Sequence, residues 1–397
     1  MTNNTLLENI LDDPDNDEKR LVYADWLMTQ GDPRGEFIRI QCERTNSNNT
    51  SNNEVLGRIE EELLKKYKRK WTKKYRAAKY ANWTFFRGFV KSLAIRANYL
   101  VNLAEVIFTV EPVERLTVKA IDDDNLQAVL HCPHLSRLRE LNLKNNKIGK
   151  SGIELLAKAE NFINLRKLDI RLARVGVRCA SSLEKLNSDS LPKLEELDLG
   201  SNKFGDKGLV GLLNSNLFKQ LRCLKLRNCN IGFEGLNQLC HLGSNNMTHL
   251  SVEQNSIGSQ GLEKIISTKN LPALNTLNVC GCSIDGKLKG LHDISLAGLR
   301  HLNLGCNYFE SKSIIELFLS SILGQLQTLQ ISSCDIGADA VTQLGQFETN
   351  HLQKLGLSDN PIGNRGMQEV FNGKGFDGLE ELDVVNCSID EKLRCAH

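Results

Sequence analysis

The sequence predicts an α/β fold, a horseshoe solenoid with a parallel sheet inside, helices outside and a small helical domain at the N-terminus. One skeleton recurs along the chain. Leu352–Met367 reads LQKLGLSDNPIGNRGM, Leu138–Ile153 reads LRELNLKNNKIGKSGI and Leu194–Leu209 reads LEELDLGSNKFGDKGL. In each, leucines at alternate positions give a short strand with one buried face, and the residues past the glycine take helix spacing. The skeleton is also regular. Ten strands centre on Leu141, Leu168, Leu197, Leu224, Leu250, Leu277, Leu302, Leu329, Leu355 and Leu382. Three residues past the last apolar strand position stand Asn146, Ala173, Asn202, Cys229, Asn255, Cys282, Asn307, Cys334, Asn360 and Cys387. They span 241 residues in nine steps, or about 26.8 each. That length holds a strand and a helix, and such a unit buries its apolar face only against its neighbours.

The pattern L-x-x-L-x-L-x-x-N-x-I-G is the leucine-rich-repeat signature. With the alternation of Asn and Cys, which makes the larger unit a pair of repeats, the ten repeats of 138–397 resemble the ribonuclease-inhibitor class. The resemblance implies a leucine-rich-repeat horseshoe and does not by itself carry inhibitor activity. Another fixed position, Gly152, Cys179, Gly208, Gly235, Gly261, Leu288, Ser313, Ala340 and Gly366, is small in eight of nine cases. Small residues there let each helix start close against the strand layer, and Leu288 predicts a distorted helix in its repeat.

Composition limits the rest. Aromatics are 6% of the chain, as fits a leucine spine, and the net charge is +2, which favours neither polyanions nor polycations. MTNNTLLENILDDPDNDEK lacks the basic and apolar regions of a secretory signal, and no stretch is long enough to span a membrane. A cytoplasmic protein with twelve reduced cysteines is therefore expected.

From the N-terminus, 1–43 reads as short helices. Leu6, Leu7, Ile10 and Leu11 mark the first; Asp15 and Glu18 fit a capping box for the second; Gly31 stops it; Pro33 opens a third. Leu21, Trp26, Phe37 and Ile40 are the expected core of this domain. PDNDEKRLVYADWLMTQGDPRGEFIRIQ, with WTFFRGFV at 83–90, resembles the repeat-companion domain that precedes leucine-rich repeats in planctomycete bacteria. That implies architecture and a bacterial origin, but no activity. An Asn-rich linker, 44–53, leads to a basic helical segment, 54–82. Nine Lys and Arg and no acid lie between 65 and 79; the rest of the chain has 41 basic and 48 acidic residues, a balance of −7. Tyr67, Trp71 and Tyr75 within it are expected to turn inward, leaving a solvated basic face. Residues 83–137 form a capping strand, through Phe86, Phe89, Val90, Leu93 and Ile95, and a degenerate repeat around Leu116. The last residues, EKLRCAH, are short for a terminal cap.

No catalytic pair, phosphate loop or metal motif is visible, so the chain reads as no enzyme, with no cofactor, no metal and no small-molecule substrate. Cys229, Cys282, Cys334 and Cys387 stand two strands apart, roughly 10 Å, too far for a disulfide, and read as small turn-filling thiols. The expected function is a scaffold that binds an unidentified protein on the concave face. That face is charged in its first repeats, with Lys144, Lys167, Arg171, Lys225 and Arg227, and small and neutral from 276 to 333, with Asn278, Asn303 and Gln330. It has no Trp, Tyr or Phe, the usual anchors of very tight interfaces. Two alternatives stand beside it. One is association with nucleic acid or an anionic membrane surface through Lys68, Arg69, Lys73 and Lys74. The other is regulation of an enzyme in the manner of ribonuclease inhibitor or Ran GTPase-activating protein, implied by the repeat resemblance.

Overall fold

The computed structural model describes residues 2–46, 50–122, 124–286, 295–320, 322–346 and 351–390. They form two compact units. The first comprises 1–148, 158–169 and 189–193; the second comprises 149–157, 170–188 and 194–397.

The first unit opens with helices α1 (Asn3–Asp12), α2 (Asp17–Thr29), α3 (Arg34–Asn46) and α4 (Thr50–Trp71). Asn16, not Asp15, caps α2: its side chain accepts from the Lys19 amide. Asp15 instead binds Arg139 at 2.7 Å, a partner 124 residues away that no local pattern reveals. The core joins Leu6, Ile10, Tyr23, Ala24, Leu27, Ile38, Cys42 and Phe89, with Trp26 partly buried against it. Phe37 and Ile40 are buried as expected, but Leu21 is 37% exposed. Its place is taken by Arg20, 3% exposed, whose guanidinium donates to the carbonyls of Pro14 and Arg87. The stretch expected as a linker is helical at both ends, since α3 runs to Asn46 and α4 starts at Thr50; 47–49 lie outside the described residues.

Strands follow: β1 (Asn82–Phe86), β2 (Phe89–Arg96), then, after helix α5 (Ala97–Phe108), β3 (Arg115–Lys119), β4 (Glu140–Asn142) and β5 (Lys167–Asp169). The single capping strand expected from sequence is an antiparallel hairpin, β1 on β2; β2 to β5 then pair in parallel with Leu93, Leu116, Leu141 and Leu168 in register. The hairpin turn is fastened to the helices. Gly88 has φ +83°, a region that favours glycine, and a Cβ there would fall 2.0 Å from Ile38 Cγ1. Arg34 donates to the Gly88 carbonyl and to both Glu111 oxygens at 2.9 Å, and Glu111 also accepts from the Val90 amide.

In the second unit, β6 (Glu196–Asp198), β7 (Cys223–Lys225), β8 (His249–Ser251), β9 (Thr276–Asn278), β10 (His301–Asn303), β11 (Thr328–Gln330), β12 (Lys354–Gly356) and β13 (Glu381–Asp383) are parallel in chain order. Leu197, Leu224, Leu250, Leu277, Leu302, Leu329 and Leu355 stand in register and are at most 1% exposed. Leu382 departs from the expected spine and is only half-buried, because β13 has a strand neighbour on one side among the described residues. Helices such as Gly205–Asn214, Phe233–Leu242, Gly258–Ser267 and Gly363–Asn372 cover the other side of the leucines. Leu288 and the tail 391–397 lie outside the described residues.

The small position at each helix start has a different cause from the one expected. A Cβ on Gly208 would lie 2.5 Å from Phe204, and one on Gly261 would lie 2.7 Å from Ile257, the apolar residue one turn earlier. On Gly235 it would meet Asp206 of the preceding helix at 2.5 Å. Contact with the neighbouring turn and helix, rather than with the strands, excludes a larger side chain.

Candidate functional site

Two surfaces hold the sequence-predicted residues: the solvent side of the sheet, and the basic stretch that ends α4 and continues past it. The backbone of each repeat turn fixes what the sheet can present.

Asn and Cys repeats differ in wiring. Asn255 Oδ1 accepts from the amides of Cys229 and Ile231 in the preceding repeat, at 2.9 and 3.0 Å. Its Nδ2 donates to Leu226 and Val252 carbonyls, both at 2.7 Å. Asn307 and Asn360 do the same for Cys282–Ile284 and Cys334–Ile336, and Asn202 for Ala173–Val175. The cysteines are wired more weakly: Cys229, Cys282, Cys334 and Cys387 give their thiols to Leu199, Val252, Leu304 and Leu357 carbonyls at 3.2–3.3 Å, and a sulfur is a weak acceptor for the amides of the preceding repeat. Burial pushes the Cys229 and Cys282 thiols up to about 12 and Cys334 up to about 11. The carbonyl of a Cys position is taken by a glycine amide of the repeat before it, Gly205 to Cys229, Gly258 to Cys282 and Gly363 to Cys387. Those glycines have φ of +62° to +66°; Gly176 and Gly232, at the same position in Ala and Cys repeats, do not.

The residue before each Asn or Cys is left-handed throughout the unit: Leu172, Ser201, Asn228, Gln254, Gly281, Cys306, Ser333, Asp359 and Asn386. By position these residues directly follow the open strand face. They belong to the turn, and the signal was their bias toward Asn, Asp, Ser and Gly.

Among the predicted binding residues, Lys144 and Lys167 belong to the first unit and are exposed. In the second unit, Arg171 Nε lies 3.2 Å from Asp198, Lys225 Nζ lies 2.5 Å from Glu196, and Arg227 Nε donates to Gln254 at 3.1 Å with Glu253 at 4.0 Å. Burial works against the Lys225 charge, but the Glu196 bond outweighs it and holds the ammonium above the usual lysine range. Asn278 and Asn303 accept from the amides two residues on, Cys280 and Gly305, each at 3.0 Å. Asp198 does likewise for Gly200. The recurrence of Asn or Asp at the third strand position was the signal for this role. Gln330 lies over Gly356, where a Cβ would fall 1.7 Å from its Oε1. Nearby, His301 Nδ1 is 3.0 Å from Thr328 Oγ1, and burial with His301 alongside holds His249 below the usual imidazole range. No group of three His, Cys, Asp or Glu among the described residues could hold a metal ion. No helix among them is long and apolar enough to cross a membrane.

Of the basic stretch, Lys68 and Arg69 end α4, and Lys73 and Lys74 lie in a 3-10 turn, Lys73–Tyr75. Of the three aromatics expected to turn inward, Trp71 and Tyr75 are 6% and 1% exposed, and Tyr67 is only half-buried.

The family described as Leucine Rich repeat matches residues 131–157, 190–213, 243–265 and 349–371. Ribonuclease inhibitors of Sus scrofa and Mus musculus are 28% and 29% identical over 64% of this chain, and the chain spans 59% of each. NACHT, LRR and PYD domains-containing protein 5 of Homo sapiens is 26% identical over 59% of this chain, which spans 21% of that protein. Among solved structures, an internalin of Listeria monocytogenes aligns with TM-score 0.44 and 18% identity, over 77% of this chain and 84% of that one. The matched segments, the in-register parallel strands and the Asn–Cys alternation together show leucine-rich repeats like those of ribonuclease inhibitor.

Proposed function

We propose that the chain is a non-enzymatic scaffold and that the open sheet face of the second unit docks a protein partner. The observation that carries this reading is the state of the face: its polar side chains are already held. Arg171, Lys225 and Arg227 are paired with neighbours, and Asn278 and Asn303 are tied to backbone amides. A surface ordered in advance loses little side-chain entropy on binding, and paired charges of both signs suit a polar protein surface. Gln330 and small groups in the middle leave room for a protruding segment. Arginines at 171 and 227 can exchange part of their pairing for bidentate contact with a partner carboxylate. Lys144 and Lys167 offer the same chemistry on the first unit.

The helical start is proposed to be the repeat-companion domain of planctomycete type, which supports a bacterial, cytoplasmic setting. Similarity to ribonuclease inhibitors favours, as a second reading, a partner that is an enzyme under regulation. The test is affinity capture from native extract with the full chain and with an Arg171→Glu/Arg227→Glu variant, both read by mass spectrometry. A partner held by the first and lost by the second is expected. Equal capture by both would remove the sheet face from the proposal, and an activity assay on the captured protein decides the regulatory reading.

A further inference from the structure

Lys65 to Lys79 is anchored from beneath and unmatched from above. The Trp71 ring centre lies 4.8 Å from Phe37, the Tyr75 ring stacks on Trp83 at 4.9 Å, and the Tyr75 hydroxyl reaches Glu111. The Trp71 and Tyr75 rings are thus held in the core, Tyr67 is half-buried beside them, and the backbone that carries the cations is anchored at these two rings. Its outer side presents Lys65, Lys66, Arg69, Lys70, Lys73, Lys74, Arg76 and Lys79, all exposed, with Lys68 half-buried. Elsewhere in the same unit, Lys19, Arg34, Arg44, Arg87, Lys91, Arg115 and Arg139 each reach a carboxylate within 4 Å. Among the described residues, none of the nine cations between 65 and 79 does. Glu61 and Glu62 precede Lys65 and Lys66 by one turn of α4, and Lys74 feels the Glu111 charge, but no carboxylate among the described residues closes to an ion pair with this run.

We infer that this face binds the phosphodiester backbone of a single-stranded nucleic acid. Fixed cations in i, i+4 rows, Lys65–Arg69 and Lys66–Lys70, stand one turn apart, about 5–6 Å, and present a linear series of positive groups to a linear series of phosphates. Tyr80, at the end of the run, is 91% exposed. An aromatic ring at the edge of a basic track is the arrangement on which an unpaired base stacks. A membrane surface fits less well, because a helix lying on lipid needs free apolar anchors, and here Trp71 and Tyr75 are buried in the core.

The test is fluorescence anisotropy of labelled oligothymidylate, about 20 nucleotides long, titrated with the full chain at several salt concentrations. If about five phosphates are neutralised, affinity should fall roughly 100-fold between about 50 and 200 mM salt. The variant Lys68→Gln/Arg69→Gln/Lys73→Gln/Lys74→Gln should bind at least about tenfold more weakly and show a shallower salt slope. Tyr80→Ala should weaken binding about tenfold and leave the slope unchanged. Lys207→Gln/Lys264→Gln, in the second unit, should change neither. Thermal melts confirm that each variant folds. The proposal is overturned by absence of oligothymidylate binding at low salt. Equal losses from the two sets of lysine substitutions, or binding only to phosphatidylserine–phosphatidylcholine vesicles or to acidic protein, overturn it as well.

Discussion

Replacing Asn255 with alanine removes four buried hydrogen bonds at once and leaves their partners in place. The side chain is 3% exposed, and it serves two amides, Cys229 and Ile231, and two carbonyls, Leu226 and Val252, at 2.7–3.0 Å. An abandoned buried donor costs about 1–3 kcal/mol, and a water drawn into the space recovers part of it, so the net expectation is about 3–5 kcal/mol. Cys282→Ala is the matched control. Cys282 gives a weak thiol bond to Val252 at 3.2 Å and offers its sulfur only as a weak acceptor to the Asn255 and Gln254 amides, so the cost should be about 1–2 kcal/mol. Asn255→Cys sharpens the contrast. It installs the residue of the alternate repeats, replaces a strong oxygen acceptor with a weak sulfur one and removes the Nδ2 donor, and it should fall nearer alanine than the native protein. Solenoid stability is carried by neighbouring repeats, so the damage is local. Hydrogen exchange read on peptides containing Cys229 and Ile231 should therefore show protection lost by about 100-fold or more, alongside a lower urea midpoint. If Cys282→Ala costs as much as Asn255→Ala, or if those two amides keep their protection, the wiring assigned to the Asn repeats is wrong.

Leu172 sits at φ +53° and is 46% exposed, so Leu172→Gly or Leu172→Asn should stabilise the chain by about 0.5–1 kcal/mol, seen as a raised Tm. Gly88→Ala combines a left-handed backbone with a Cβ 2.0 Å from Ile38, and should destabilise the first unit by about 3 kcal/mol or more in urea unfolding. In the native protein Cys306, exposed, should react first with iodoacetamide among the described cysteines. Cys229, Cys240 and Cys282 should lag by orders of magnitude. Burial raises these thiols to about 12, so their thiolate fraction stays small at pH 8 and grows only as pH approaches that value. Asp15 is held below the ordinary carboxyl range by its Arg139 hydrogen bond. The pair's stabilisation is therefore present above pH 3.8 and lost as pH falls through the lower folded value. Asp15→Asn should cost about 0.5 kcal/mol near neutrality, discounted for exposure, and nothing in strong acid, measured by urea unfolding across pH.

How much of this was legible depended on the range of the cause. Leu197 or Leu277 is readable because a strand leucine is selected by its own period and by identical neighbours on both sides. Leu382 shares the pattern but has a strand neighbour on one side among the described residues, and it is only half-buried. Asp15 and Asn16 are equally good caps in isolation; Arg139 decided between them from far along the chain. The same holds for Leu21 and Arg20. Hydrophobicity favours the leucine, but the carbonyls of Pro14 and Arg87 converge where only a guanidinium can answer them, and α2 is turned accordingly. For the binding face, residue types were visible and their pairing was not. Lys225 and Glu196 lie 29 residues apart and meet only because consecutive strands are in register.

That register has a consequence for electrostatics. On the second unit's sheet, a cation placed on one strand faces an acid placed on the next, so formal charge is cancelled within about one strand spacing, 4.8 Å, well inside the screening length of physiological salt. Salt should then change little about what that face attracts, and recognition there must rest on shape and on exchange of hydrogen bonds. The segment 65–79 has no such cancelling strand beside it. Its field reaches as far as the ionic strength allows, and its associations should weaken steeply as salt is added. A chain with a net charge of only +2 can thus carry one surface indifferent to salt and another governed by it. A single salt titration of a captured partner distinguishes which surface holds it, since flat binding assigns the partner to the sheet and steep binding to the basic segment.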